Sequence, residues 1–363
     1  MTNAVFHHSQ PRQPYRQPCC SLHFQDIKMN KTTLTAGVMT LALAGATTLH
    51  AQDAGFTWEG ELEVGIDSTV RSDDPTAEIT DTYLTLELAF EAAISDRITA
   101  FGGLTLESVT DATANRTFDD LGLYFAELGL RFNFGDTAVS VGKISPVFAV
   151  AWDEAPGFYG TTLAENYELS EMIGVTLDTP IGANGSLSAA LFYADDTGLS
   201  NSAGTNRGRN TVAAGGVGNT GKLNNVALQY THDFGDTTAW VGARHLSAGV
   251  GDVSDETGLV AGMSHAFGSG YDMIAEVARF DGAGGTNDDA TYATLGGAYA
   301  LNDWTFSAAA TFVDNSAAGT DSMIALGVDR TLTDTVDLNF GVARFDTGGV
   351  KSTSIGLAAV ISF

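Results

Sequence analysis

The chain has 363 residues, with 17 Lys or Arg against 44 Asp or Glu and a formal net charge of −27. That balance excludes a nucleic-acid partner, because such binding rests on basic side chains that neutralise phosphates. Both cysteines, Cys19 and Cys20, sit near the N-terminus, so the rest of the chain offers neither disulfides nor thiolate metal ligands.

Residues 1–28 are rich in His, Gln, Pro and Arg and lack apolar periodicity, and they read as an extension outside the working protein. Met29 opens an export signal over 29–51, with Lys31 as its basic region and Ala36–Ala46 as its apolar stretch. That stretch is too short to cross a bilayer as a helix, which needs about 20 residues. Cleavage after Ala51 would leave a mature chain, 52–363, that is more acidic still. No later segment is apolar enough for a membrane helix, so the exported chain is either secreted or a β-barrel.

From Gln52 onward the hydrophobic period is two, which is strand spacing and not helix spacing. Phe56, Trp58, Leu62, Val64 and Ile66 share one face; Thr57, Glu59, Glu61 and Glu63 share the other. Leu84, Leu86, Leu88 and Phe90 alternate with Tyr83, Thr85 and Glu87. Tyr124, Leu128, Leu130 and Phe132 alternate with Glu127, Gly129 and Arg131. Trp304, Phe306, Ala308, Ala310 and Phe312 alternate with Thr305, Ser307 and Thr311. At the C-terminus Ile355, Leu357, Ala359, Ile361 and Phe363 form a last apolar face that ends on an aromatic, with Val360 breaking the alternation. A free apolar edge invites aggregation, whereas a strand that closes a barrel in lipid has no free edge.

The connections alternate in length. Seven are tight and polar: Ser95-Asp96, Gly135-Asp136, Gly182–Gly185, Gly235-Asp236, Gly268–Gly270, Asn302-Asp303 and Thr333-Asp334. Eight longer segments lie near 67–78, 109–120, 144–171, 194–221, 248–257, 282–290, 314–321 and 346–351. Sixteen antiparallel strands follow, with short periplasmic turns and long outer loops, the asymmetry of an all-β transmembrane barrel. Phe134, Phe234 and Phe267 immediately precede short turns, and Trp58, Trp240, Trp304 and Phe363 fall close to the same ends. Together they read as an interfacial aromatic girdle.

From about Gly55 to Phe363 the chain resembles the trimeric general porins of Gram-negative outer membranes, nearest to the short-turned acidic type of alphaproteobacteria. The resemblance rests on the export signal, the sixteen-strand rhythm, terminal Phe363, and the strand ending Val141-Gly142-Lys143 before a long third loop. It implies that this loop folds inward and narrows the pore, opposite a wall cluster of arginines. It also implies a homotrimer in contact with outer-membrane lipid and lipopolysaccharide, and a terminal strand read by the assembly machinery. This chain departs from the pattern on its first strands. Glu59, Glu61, Glu63, Glu87 and Glu107 point inward by phase, with Arg131 the one clear inward base.

The third loop carries Asp153, Glu154, Glu165, Glu168 and Glu171, with Trp152, Phe158 and Tyr159. Carboxylates there would line a constriction and draw cations; the plain alternative is a solvated acidic loop. Candidate opposing bases are Arg131, Lys143, Arg244, Arg279, Arg330 and Arg344, and the parity of Lys143, shared with Val139 and Val141, requires the strand to bend. Four acidic pairs fall in outer loops: Asp73-Asp74, Asp119-Asp120, Asp195-Asp196 and Asp288-Asp289. Hard oxygen ligands of this kind could hold Ca²⁺ or Mg²⁺ weakly, although no EF-hand spacing is present.

Gly216-Val217-Gly218-Asn219-Thr220-Gly221 has the dinucleotide-binding glycine spacing, but the strand-like Val226, Leu228 and Tyr230 follow where a helix is needed. No histidine pair has metal spacing, and no G-x-S-x-G or other catalytic constellation occurs. The residues therefore point away from an enzyme and toward a water-filled channel for small hydrophilic solutes and ions, with cations preferred. The first alternative is a secreted acidic all-β adhesin or binding protein, and the second is a barrel enzyme, which would need a Ser/His/Asp cluster at the outer rim.

Overall fold

The computed structural model describes residues 55–114 and 116–363. The segments 1–28 and 29–51, expected to be an extension and an export signal, lie outside the described residues. Sixteen long strands follow in chain order: β1 (Phe56–Ser72), β2 (Thr80–Ser95), β3 (Ile98–Ser108), β4 (Leu121–Phe134), β5 (Thr137–Ile144), β6 (Met172–Ile181), β7 (Gly185–Ala194) and β8 (Asn225–Asp233). The second half comprises β9 (Thr237–Leu246), β10 (Glu256–Ala266), β11 (Tyr271–Asp281), β12 (Ala290–Leu301), β13 (Trp304–Asn315), β14 (Gly319–Thr333), β15 (Val336–Thr347) and β16 (Val350–Ser362). Each pairs antiparallel with its neighbours, and β16 returns to β1 with Leu62 opposite Ile361 and Val64 opposite Ala359. The sheet is thus an all-β closed barrel.

Closure follows from the patterning. Leu259, Val277, Leu295, Phe312, Ile324 and Leu326 all stand exposed on the outer face, while Thr311 and Met323 between them are fully buried inside. A soluble protein does not carry an apolar surface running from strand to strand on this scale. In a bilayer the same surface is solvated by lipid, and only a closed ladder leaves no backbone group unpaired.

One phase changes part-way. Between β3 and β4 the register slips, Gly103 facing Glu127 while Leu104 faces Phe125, so Ala126 forms a β-bulge. Beyond it Leu128 and Leu130 face outward, but Tyr124 turns inward and is buried. The expected grouping of Tyr124 with Leu128, Leu130 and Phe132 is therefore corrected, because one extra residue inverts the alternation.

All seven short turns lie at the expected positions within a residue or two. Six outer connections are long, and the third (L3, Ser145–Glu171) and fourth (L4, Asp195–Asn224) are the longest. The last two are not long: 316–318 joins β13 to β14, and Gly348-Gly349 alone joins β15 to β16. Gly348 and Gly349 have φ of 59° and 76°, the paired left-handed conformation of a two-residue hairpin turn that glycine adopts without strain.

Candidate functional site

L3 turns inward after Ile144 and lies against the inner wall. Phe148, Trp152, Tyr159, Leu163, Tyr167 and Leu169 are all buried there, so the loop is packed and not free in solvent. Its first turn is bolted to the wall by hydrogen bonds. Gln229 of β8 accepts the Ala149 N–H at 2.7 Å. Glu276 of β11 accepts the N–H groups of Val150 and Ala151 at 2.8 and 3.2 Å, the Tyr167 hydroxyl at 2.7 Å and the Trp240 indole N–H at 2.7 Å. Val150 precedes the short helix Ala151–Glu154 and has no side chain able to cap it. The wall carboxylate supplies the missing acceptor. Nothing in the periodicity of β11 distinguishes Glu276 from any other lumen acid.

The loop then crosses a trench of small residues. Ser307, Gly327, Gly341 and Gly356 are successive cross-strand partners on β13–β16, and Gly356 faces Asp67 of β1. Gly157 lies over Ser307 and Gly327, and Phe158 over Gly341 and Gly356. A Cβ at Gly356 would fall 2.1 Å from the Phe158 ring. Tyr159 completes the crossing by donating its hydroxyl to Asp67 at 2.7 Å. L3 therefore hugs the wall from β8 round to β1 and leaves the opening beside the first strands.

That opening is acidic on both sides. On the loop side Asp153 is exposed and Glu154, Glu165 and Glu168 are half-buried. Burial, then the charges of Asp153 and Glu276, pushes the Glu154 carboxyl up to about 7. Burial, then the charges of Glu165 and Asp153, pushes Glu168 up to about 8. On the wall Glu61 stands directly opposite Glu87. Tyr83 donates to Glu63 and Tyr124 to Glu107, and Glu168 is near enough to interact with Glu87. Glu59 lies one inward position below Glu61. Beneath the loop a vestibule of about 1050 Å³, lined by Glu87, Glu91, Arg131 and Asp178, runs toward the short-turn end.

Most bases are drawn away from this aperture, whereas Arg207 of L4 stacks over Tyr124, the hydroxyl partner of Glu107. Arg131 pairs with Glu91 below it, and Arg116 with Asp81 at the outer end of β2. Arg244 is buried between Glu256 and the Tyr167 carbonyl and tucked under Phe148 and Phe280, where it anchors L3. Arg279 pairs with Asp289 at the outer rim, and Arg330 covers Trp304 near the short-turn end.

A family model for Gram-negative porins matches residues 35–349. The chain belongs to the Gram-negative porin family. Family and fold together imply a non-enzymatic outer-membrane channel for passive diffusion, which sets aside the secreted alternative. No curated protein sequence matches the chain. Among solved structures, this porin is similar to OprB of Pseudomonas putida at high pH (12% identity, TM-score 0.64, covering 85% of this chain and 94% of that one). It is also similar to the outer-membrane channel DcaP of Acinetobacter baumannii (13%, 0.59, 86% and 98%). A third is the anion-selective porin from Comamonas acidovorans (13%, 0.54, 85% and 99%). At such identities the likeness is one of fold.

Several expected porin sites move. Lys143, read as a wall base, is wholly enclosed, 2.6 Å from Glu171 and 3.0 Å from Asp195. Glu171, read with the constriction acids, is taken up by that ion cluster at the stem of L3. Trp240, placed in the aromatic girdle, is instead buried inside the barrel against Glu276; the neighbouring Val241 takes the outward position. Trp58, Phe134, Phe234, Phe267 and Trp304 stand exposed near the short-turn ends, and Phe363 meets Trp58 ring to ring at 5.8 Å.

In the loop acid pairs, Asp74 caps Thr76, Asp120 accepts from Thr110, Asp195 meets Lys143 and Asp289 meets Arg279. Among the described residues no three His, Cys, Asp or Glu side chains converge in a metal-binding group. The signals that sequence reading missed are Glu276 and the inward glycines. The glycines were visible as inward-phase residues on neighbouring strands, but their alignment needed the register.

Proposed function

We propose that this porin passes small hydrophilic solutes and prefers cations. A single observation supports the reading. Glu168, beside Glu165 and Asp153 on the loop, comes within interaction range of Glu87 on a wall that also bears Glu61 and Glu63, while Arg116, Arg131, Lys143, Arg207 and Arg244 each sit against a carboxylate. A narrow aqueous path between low-dielectric walls concentrates that field, enriching cations and depleting anions. The resemblance adds a homotrimer in the outer membrane, bathed by lipopolysaccharide.

Reversal potentials across planar bilayers in a KCl gradient test the preference. The parent is expected to polarise toward the K⁺ equilibrium potential, less so as salt rises to 1 M, where screening acts within about 3 Å. Neutralising Asp153, Glu154, Glu165 and Glu168 together should move the pore toward non-selectivity. Anion preference in the parent, or no change in the fourfold variant, would defeat the reading.

A further inference from the structure

β5 is short. It ends at Ile144, where the chain leaves for the lumen, and its last pairing with β4 joins Lys143 to Leu128. β4 continues outward to Leu121, so its outer edge has no β5 to pair with. An unpaired edge in a barrel wall is costly, because the freed backbone groups must be satisfied by something else. L4 covers it. Ala203–Gly204 pairs antiparallel with Gly122 and Leu123, and Thr205 N–H donates to the Leu121 carbonyl at 2.9 Å.

The same loop grips both stems of L3. At the first stem, Lys143 Nζ lies 3.0 Å from Asp195, the first residue of L4, and donates to the Leu199 carbonyl at 3.1 Å. At the second stem, Arg207 places its guanidinium on both carboxylate oxygens of Glu171, one at 2.9 Å, and its Nε on the Ser200 carbonyl at 2.9 Å. Lys143 shares the Glu171 carboxylate, and the Asp195 N–H donates to the Glu171 carbonyl at 3.0 Å. Arg207 also stacks over Tyr124 at 3.7 Å, and Tyr124 donates to Glu107 of the pore wall. Glu171 itself is left-handed, with φ of 54°. A non-glycine residue adopts that conformation only when its surroundings hold it there.

We propose that L4 is the clasp of the constriction: Arg207, through Glu171, is a positioning residue that fixes the L3 stem and thereby the bore of the pore. The proposal rests on the reading of L3 as the conductance-limiting loop. It gives an outer loop a mechanical connection to the aperture, running Arg207–Glu171 to the loop and Arg207–Tyr124–Glu107 to the wall. Bidentate pairing and ring stacking are geometric, so a lysine keeps the charge of Arg207 and loses the grip.

The experiment compares Arg207→Ala and Arg207→Lys in single-channel recordings, with assembly of each first verified by heat-modifiable migration in detergent gels. Both variants should lose the single parental conductance level and flicker among several. The reversal potential should shift toward K⁺ in Arg207→Ala and stay parental in Arg207→Lys. That split separates positioning from charge, since a purely electrostatic role leaves Arg207→Lys quiet. Parental, steady conductance in both variants would overturn the proposal. If Arg207→Ala does not assemble, Arg207→Lys alone decides. Failure of both to assemble also counts against it, because a clasp acting on L3 leaves the long-strand ladder intact. Flicker in these variants alongside unchanged selectivity in the fourfold acid variant would retain the clasp and reject only the cation reading.

Discussion

Gly356→Ala adds one methyl group to the wall, and the geometry says where it goes. The new Cβ would stand 2.1 Å from Phe158 Cε1 and 2.5 Å from both Cδ1 and Cζ. Comfortable carbon–carbon contact begins at about 3.5 Å, so the ring must retreat by roughly 1.4 Å. Retreat is hindered. Phe158 is seated over the bare backbone of Gly341, Tyr159 abuts the ring with centroids 4.7 Å apart, and the Tyr159 hydroxyl is tied to Asp67. Overpacking of this kind costs about 1–3 kcal/mol.

Urea unfolding of the protein refolded in lipid measures that cost, and single-channel conductance reports the displaced loop. A double-mutant cycle with Phe158→Ala localises it: the two substitutions should couple favourably by roughly 0.5–3 kcal/mol, because removing the ring removes the clash. Strict additivity, or a Gly356→Ala pore with parental stability and conductance, would refute the docking of L3 in the trench.

Glu276→Ala orphans two backbone N–H groups, a tyrosine hydroxyl and an indole N–H. A loss of at least about 2 kcal/mol in urea unfolding is expected, and a loss within error would show that the anchor is dispensable. Glu154 and Glu168 have carboxyls raised to about 7 and 8, so they gain negative charge as pH rises through that range. Cation preference should therefore grow between pH 6 and pH 9, and a flat profile in reversal potential would contradict it. The stability sign is opposite. With folded values above the ordinary 4.5, these groups favour the folded state fully below about pH 4.5 and lose that contribution as pH passes 7 to 8. Deleting Phe363 removes the reciprocal backbone pair with Gly60, at 2.9 Å each way, and the ring contact with Trp58; heat-modifiable barrel should fall, and full assembly would count against the terminal strand's role. Tags within 195–224 or 282–289 should be labelled on intact cells and one at Gly235-Asp236 should not, and labelling of both would break the topology.

The barrel was legible because its physics is local. Period-two alternation, glycine and aspartate turns, and aromatics at one set of strand ends are all written within a dozen residues. Errors arose where one residue changed the phase or a turn class. Ala126 inverts Tyr124, and Gly348-Gly349 tightens an expected loop into a hairpin turn. Trp240 illustrates a different failure. An aromatic near a strand end reads as interfacial by position, but its inward parity and its bond to Glu276 bury it. L3 was legible as an acidic, aromatic segment too long for a turn. Its attachments were not, since Glu276, Gln229 and Arg207 lie 36 to 126 residues from the groups they hold, and only closure of the barrel brings them together.

The inward residues also sort themselves by what they face. Along β13–β16 the partners Ser307, Gly327, Gly341 and Gly356 have little or no side chain, and there L3 lies flat on the wall. Along β1–β2 the inward positions include Glu59, Glu61, Glu63 and Glu87, and there L3 stands off. When both are ionised, Glu61 directly opposite Glu87 destabilises the sheet, because like charges across a strand pair repel. A docked wall could not carry that repulsion, since burying unpaired carboxylates under a loop adds a desolvation cost. A wall that borders water can, because lumen solvent screens the pair and passing cations lower its energy further. The same repulsion that weakens β1–β2 is thus the field that selects ions. Replacing Glu61 and Glu87 together with glutamine should therefore stabilise the barrel while lowering cation preference, with urea unfolding and reversal potentials read on one preparation. A double variant that is both less stable and equally selective would show that these glutamates serve the fold and not the pore.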